Sequence, residues 1–111
     1  MPTKVGKYGN RKTDASDGSV LDSKREARRY EELLALQKIG VIRDLKRQVV
    51  YPLILAHKEF NLRECNYVAD FVFTDEDGRM RVEDAKGHRT RDYIIKRKLF
   101  AQVYGLLIEE V

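Results

Sequence analysis

Two aspartates and a lysine, Asp70, Asp84 and Lys86, stand at the open end of what reads as a β-hairpin running from Tyr67 to Gly87. Its first arm is rich in aromatic and β-branched residues. Its second, Arg79 to Lys86, alternates, with Met80, Val82, Asp84 and Lys86 on one face. A three-residue loop, Glu76-Asp77-Gly78, with Gly78 in the left-handed position, is a common hairpin connection. It pairs Thr74 with Met80, Val72 with Val82 and Asp70 with Asp84. A two-residue loop would put the two aspartates on opposite faces, and a four-residue loop would set Asp70 against Glu83. Like charges directly across a strand pair are destabilising, so either one carboxyl is protonated or a cation sits between them. Two oxygen donors with open positions suit Mg²⁺ or Mn²⁺. Lys86 is then placed to meet a negatively charged group brought to that ion. The same spacing also fits a hairpin end whose charges are merely solvated.

The elements that must position this end can be read on either side of it. Ser23 and Glu26 form a capping box for a helix over Lys24 to Ile39, which Gly40 ends. Glu26, Tyr30, Leu33 and Gln37 fall on one stripe beside Ala27 and Leu34, so the face that buries apolar residues also carries a glutamate. Val41 to Leu55 reads as a connection and then a strand, with Leu45, Val49, Tyr51 and Leu53 alternating and Pro52 marking an edge or an irregularity. The polar stretch from His57 to Asn66 reads as a loop leading into the hairpin. After Lys86, Thr90 is the expected N-cap of a second helix, Arg91 to Tyr104, closed by Gly105. Ile95, Leu99 and Val103 or Gln102 are expected to face inward, with Phe100 and Tyr104 alongside. Leu106 to Val111 reads as a last strand. Residues 1–22 hold few apolar side chains and read as a basic, flexible arm that ends in a short strand at Ser19 to Leu21.

The fold class expected from this order is α/β (α+β): helix, three strands, helix, strand, with a mixed sheet flanked by helices, in one domain over residues 23–111 of a 111-residue chain. No run of about 18 apolar residues is present, so a membrane span is not expected, and without an apolar leader the chain reads as cytoplasmic. The lone Cys65 has no partner for a disulfide or a zinc site. The net charge is +4, but from Arg79 to Lys98 eight basic residues face three acidic ones. A positive excess beside a carboxylate pair suits a phosphodiester polyanion, although a solvated helix face has the same composition. Lys86, His88, Arg89, Arg91, Tyr93, Lys96 and Arg97 are the candidate nucleic-acid contacts.

Asp70, a dozen residues, then Asp84-x-Lys86 after an apolar strand resembles the PD-(D/E)XK nuclease motif, and helix-strand-strand-strand-helix-strand is the order of that fold's core. Asp22 to Tyr30, Tyr67 to Phe71, Val82 to Gly87 and Lys96 to Phe100 look similar to a phage and prophage family of single-domain endonuclease-like proteins, related to the transposon-end nuclease TnsA and to archaeal-type junction resolvases. Ala69 stands where the motif's name has proline. The resemblance implies a restriction-endonuclease-like core and Mg²⁺- or Mn²⁺-dependent hydrolysis of DNA by an endodeoxyribonuclease. Asp70 and Asp84 would bind the metal, Glu26 would assist there, and Lys86 would orient the attacking water. It implies a branched, Holliday-junction-like substrate in phage recombination or replication, a homodimer for symmetric cutting, and a bacterial host cytoplasm. A nicking or site-specific endonuclease whose protein partner supplies specificity, and a DNA-binding module without catalysis, remain the competing readings.

Overall fold

A computed structural model describes residues 13–14, 20–21, 24–85 and 89–111. In chain order the elements are β1 (Thr13–Asp14), β2 (Val20–Leu21), α1 (Lys24–Lys38), β3 (Arg43–Ile54), β4 (Cys65–Thr74), β5 (Met80–Asp84), α2 (Arg91–Tyr104) and β6 (Ile108–Glu110). The architecture is α+β, consistent with a small restriction-endonuclease-like core. A four-stranded mixed sheet has the order β3-β4-β5-β6, antiparallel except for the parallel pair β5-β6. The expected strand at the end of the N-terminal arm is present as β2, paired antiparallel with β1 beside α1. The rest of that arm, and Ser23 with its proposed cap, lie outside the described residues.

Both helices end as their sequences require. Gly40 adopts φ 85°, its N–H bonds Gln37 O at 3.0 Å and the Val41 N–H bonds Leu36 O at 2.9 Å. That pair of bonds is a Schellman closure, which needs a left-handed residue where glycine stands. Thr90 accepts the Tyr93 N–H at 3.1 Å and starts α2, and Gly105 ends it in the left-handed region. The hairpin turn also follows its sequence: Asp75 and Arg79 bracket Glu76-Asp77-Gly78, and the ladder pairs Thr74 with Met80 and Val72 with Val82.

Two cores form on opposite faces of the sheet. On one, α1 lays Ala27, Tyr30 and Leu33 against Ile42, Phe71 and Phe73. On the other, α2 lays Tyr93 and Phe100 against Leu53, Tyr67, Ala69, Val72, Val82 and Ile108. The inward face of α2 differs from the expected one. Ile95 and Val103 are exposed and Leu99 is half-buried, while Tyr93 and Phe100 are buried and Tyr104 donates to the Pro52 carbonyl at 2.7 Å. Phe100 packs edge-on against Tyr51 and Tyr67, so the rings set the helix's rotation. Aromatic side chains bury the most area per position and outweigh the aliphatic stripe.

The two long strands exchange faces at one point. Side chains two apart on a strand normally share a face. Yet Leu45 packs with the α1 core and Val49 and Tyr51 with the α2 core, and likewise Phe71 faces α1 while Ala69 and Tyr67 face α2. The exchange falls at Gln48 and Asp70, between the register pairs Arg47–Phe71 and Val49–Ala69. Gln48 carries it with φ 53°, in the left-handed region that costs a non-glycine residue about 1 kcal/mol. Gln48→Gly is therefore expected to be more stable than Gln48→Ala by about 1 kcal/mol in urea unfolding, because both lose the amide and only glycine relieves the backbone. Equal stability of the two variants would contradict this.

Candidate active site

Two of the carboxylates singled out in the sequence, Glu26 and Asp70, are linked where the strands exchange faces. Gln48 Nε2 lies 3.2 Å from Glu26 Oε2 and 3.4 Å from Asp70 Oδ1, spanning the first helix and the hairpin. Glu26 is buried on α1 and has the Arg47 guanidinium 3.8 Å away, itself stacked over the Tyr30 ring. Asp70 Oδ2 accepts the Ala85 N–H at 2.8 Å, and Asp84, also buried, accepts the Tyr67 hydroxyl at 2.6 Å.

The expected pairing of Asp70 directly across from Asp84 is not part of the ladder, whose last pair is Phe71–Glu83. Beyond Phe71–Glu83 the carboxylate of Asp70 takes the Ala85 N–H, while the other edge of β5 pairs with β6 from Val82–Ile108 to Asp84–Glu110. Both aspartates remain close to Tyr67. Burial first, then the hydrogen bond to Asp84 and its charge, and more weakly the charge of Asp70, push that phenol well above its ordinary value. Tyr67→Phe removes the hydroxyl from a buried carboxylate and is expected to cost about 1.5–3 kcal/mol, read as the loss of unfolding free energy in denaturant. A change below about 0.5 kcal/mol would mean that Asp84 is held by other groups.

The basic residues divide. Arg89 donates to Glu110 Oε1 at 3.0 and 2.5 Å, and Arg97 approaches its other oxygen at 3.5 Å. Tyr93 is buried and donates to Glu110 Oε2 at 2.9 Å, so its hydroxyl braces α2 against β6 instead of facing outward to a phosphate. Together these hold Glu110 below the usual carboxylate range, chiefly through Arg89. Lys96 lies 3.9 Å from Asp92, and Arg91 is exposed. Lys86 and His88 lie outside the described residues.

Sequence reasoning missed Gln48, Tyr67 and Glu110 as parts of this site. Glu110 left a signal, as one of the two acids, with Glu109, in the closing stretch from Leu106 to Val111. Gln48 left none, since its position depends on the strand exchange. Asp70, Asp84 and Glu26 are hard oxygen donors of the type that suits Mg²⁺ or Mn²⁺, and a carboxylate oxygen that accepts one hydrogen bond keeps a second lone pair for an ion. Their present spacing is not that of a closed cage: among the described residues no group of three or more acidic, histidine or cysteine side chains is arranged to hold a metal. Also among the described residues, no helix is long and apolar enough to cross a membrane.

Neither a curated protein nor a solved structure matches the chain. A family model described as "Protein of unknown function (DUF1064)" matches residues 5–109, nearly the whole length, and the chain belongs to that family.

Proposed function

We propose that this protein is a metal-dependent DNA endonuclease, a member of the PD-(D/E)XK group, acting on branched DNA. The observation that carries the reading is the link between Glu26 of α1 and Asp70 of β4 through the Gln48 amide, with Asp70 also accepting the N–H of Ala85, the residue after Asp84. Burying a carboxylate costs several kcal/mol unless it is paired or binds an ion, and Glu26 and Asp84 are both buried.

Asp70 and Asp84, with Glu26, would hold Mg²⁺ or Mn²⁺, which when bound polarises a scissile phosphodiester and makes a bound water more acidic. The chain's own groups fix those acids. Tyr67 orients Asp84, the Ala85 N–H orients Asp70, and Gln48 holds Glu26 and Asp70 to one amide. Lys86, next but one to Asp84, is assigned by the resemblance to orienting the attacking water and stabilising charge on the phosphorane. Arg91, exposed in the first turn of α2, supplies further charge for a phosphate backbone. Symmetric cutting of a junction would use a homodimer, with one site for each strand.

The test is cleavage of a labelled four-way junction, a matched linear duplex and a single strand, each with Mg²⁺, Mn²⁺ or EDTA. Junction cutting that EDTA abolishes is the expected result. Cutting of all three substrates would keep the nuclease and remove its structure specificity. DNA binding without cutting under either metal would overturn the self-sufficient enzyme and leave the partner-dependent nuclease or the DNA-binding module.

A further inference from the structure

We propose that an arginine stripe on α1, Arg25, Arg28 and Arg29, anchors the phosphate backbone of a DNA strand beside the carboxylate site, an inference that rests on the DNA-cleaving reading above. These positions follow the i, i+3, i+4 rule and share one helix face, next to the stripe that buries Glu26, Ala27, Tyr30 and Leu33. With Glu32 and Val111 they line a groove.

Two of the three guanidinium groups are already held in place. Arg29 donates to both oxygens of the buried Glu83, at 2.7 and 2.6 Å, and through Nη1 to Glu32 Oε1 at 3.0 Å, so it steadies the stripe, and Arg25 Nη1 donates to Val111 O at 3.2 Å. Arg28 is exposed. A planar fork fixed in advance loses less entropy when it meets a phosphate, which is why arginine suits such contacts better than lysine.

The groove is tied to the candidate site through the backbone. The Val111 N–H bonds the carbonyl of Asp84 itself at 3.0 Å, so the segment that forms the groove's wall is attached to a proposed metal ligand. Arg89, just before α2, and Arg97 of α2 reach Glu110, the neighbour of Val111, so basic side chains from both of the fold's helical layers gather at the end of β6. A run of positive charge leading to a cluster of acids suits an extended polyanion that must pass over the acids, and a DNA strand is that ligand.

The test is equilibrium binding of a fluorescent four-way junction in EDTA over a series of salt concentrations. It compares the wild type, Arg25→Gln/Arg28→Gln, and a charge-matched control, Lys58→Gln/Arg63→Gln, in the exposed loop between β3 and β4. Arg29 is left intact because Glu83 depends on it. Loss of two phosphate contacts is expected to weaken binding on the order of tenfold at physiological salt and to make the slope of log affinity against log salt shallower by about 2, with the control unchanged. A double variant with wild-type affinity and slope would overturn the stripe while leaving the nuclease reading untouched. Binding that depends on the stripe, by a protein that cuts nothing with any metal, would uphold the stripe and overturn the self-sufficient nuclease. A wild type that binds no DNA would overturn both.

Discussion

Replacing Asp84 with asparagine is expected to lower metal-dependent cleavage by at least about a hundredfold while leaving the fold in place. The two side chains are nearly the same shape, and the amide oxygen can still accept the Tyr67 hydroxyl that now lies 2.6 Å from Asp84. The pairing of residue 84 with Glu110 and the bond from Val111 N–H use only its backbone and do not change. What is lost is a negative charge at a position 2 % exposed. With its shape and its bond to Tyr67 kept, the variant should unfold close to the wild-type temperature, which separates loss of chemistry from loss of structure. Single-turnover cleavage under saturating Mg²⁺ measures the first and a thermal melt the second. A third readout needs no activity: Mg²⁺ should raise the melting temperature of the wild type and not of the variant, because an ion that binds only the folded state stabilises it by mass action. An asparagine variant that cuts at the wild-type rate would remove Asp84 from the reaction. Alanine is a weaker test, since it also leaves the Tyr67 hydroxyl without its partner.

The fold was legible where local chemistry determines it. Gly40, Gly78 and Gly105 each occupy the left-handed conformation their position demands, and Thr90 caps the helix it precedes, so both helices and the hairpin follow from the sequence. Glu26 could be placed on the buried face of α1 because a helix's period fixes which residues share a side. The inward face of α2 was not legible in the same way. Its period offered an aliphatic stripe through Ile95 and an aromatic one through Tyr93 and Phe100, and only packing on the β4 and β3 rings selects the second. The detailed site was least legible. Strict alternation along β4 puts Ala69 and Phe71 on one face, whereas a left-handed Gln48 on the neighbouring strand accompanies their separation onto two cores. That event brings Gln48 to Glu26 and Asp70, and no spacing rule announces it, since a glutamine in a left-handed strand position is an exception to local preference. Such exceptions persist when surrounding contacts over-determine them, and they gather at functional sites.

The largest effect on stability is expected from Arg29→Met. Glu83 is 1 % exposed on the α1 side of β5, and Arg29 meets both its oxygens in a parallel fork. Those bonds raise the already high pKa of the guanidinium further. Removing the arginine leaves a carboxylate buried without compensation, a change that typically costs about 3–5 kcal/mol, against a total of about 5–15 for a small domain. The second pairing of Arg29, to exposed Glu32, adds little, because water screens it. The melting temperature should drop by more than about 10 °C. Replacing both partners, Arg29→Met with Glu83→Leu, removes the buried charge along with its counter-ion and should restore most of the loss, since apolar groups of similar volume can replace a buried pair at little cost. A single variant within about 1 kcal/mol of the wild type would mean that Glu83 protonates or finds water without strain. The pair also joins α1 to the strand that carries Asp84, so it helps set the relation between Glu26 and the hairpin acids. If its role is only to hold that relation, the double variant should regain cleavage together with stability. A double variant that is stable yet inactive would show instead that the charge of Arg29 itself acts on the DNA.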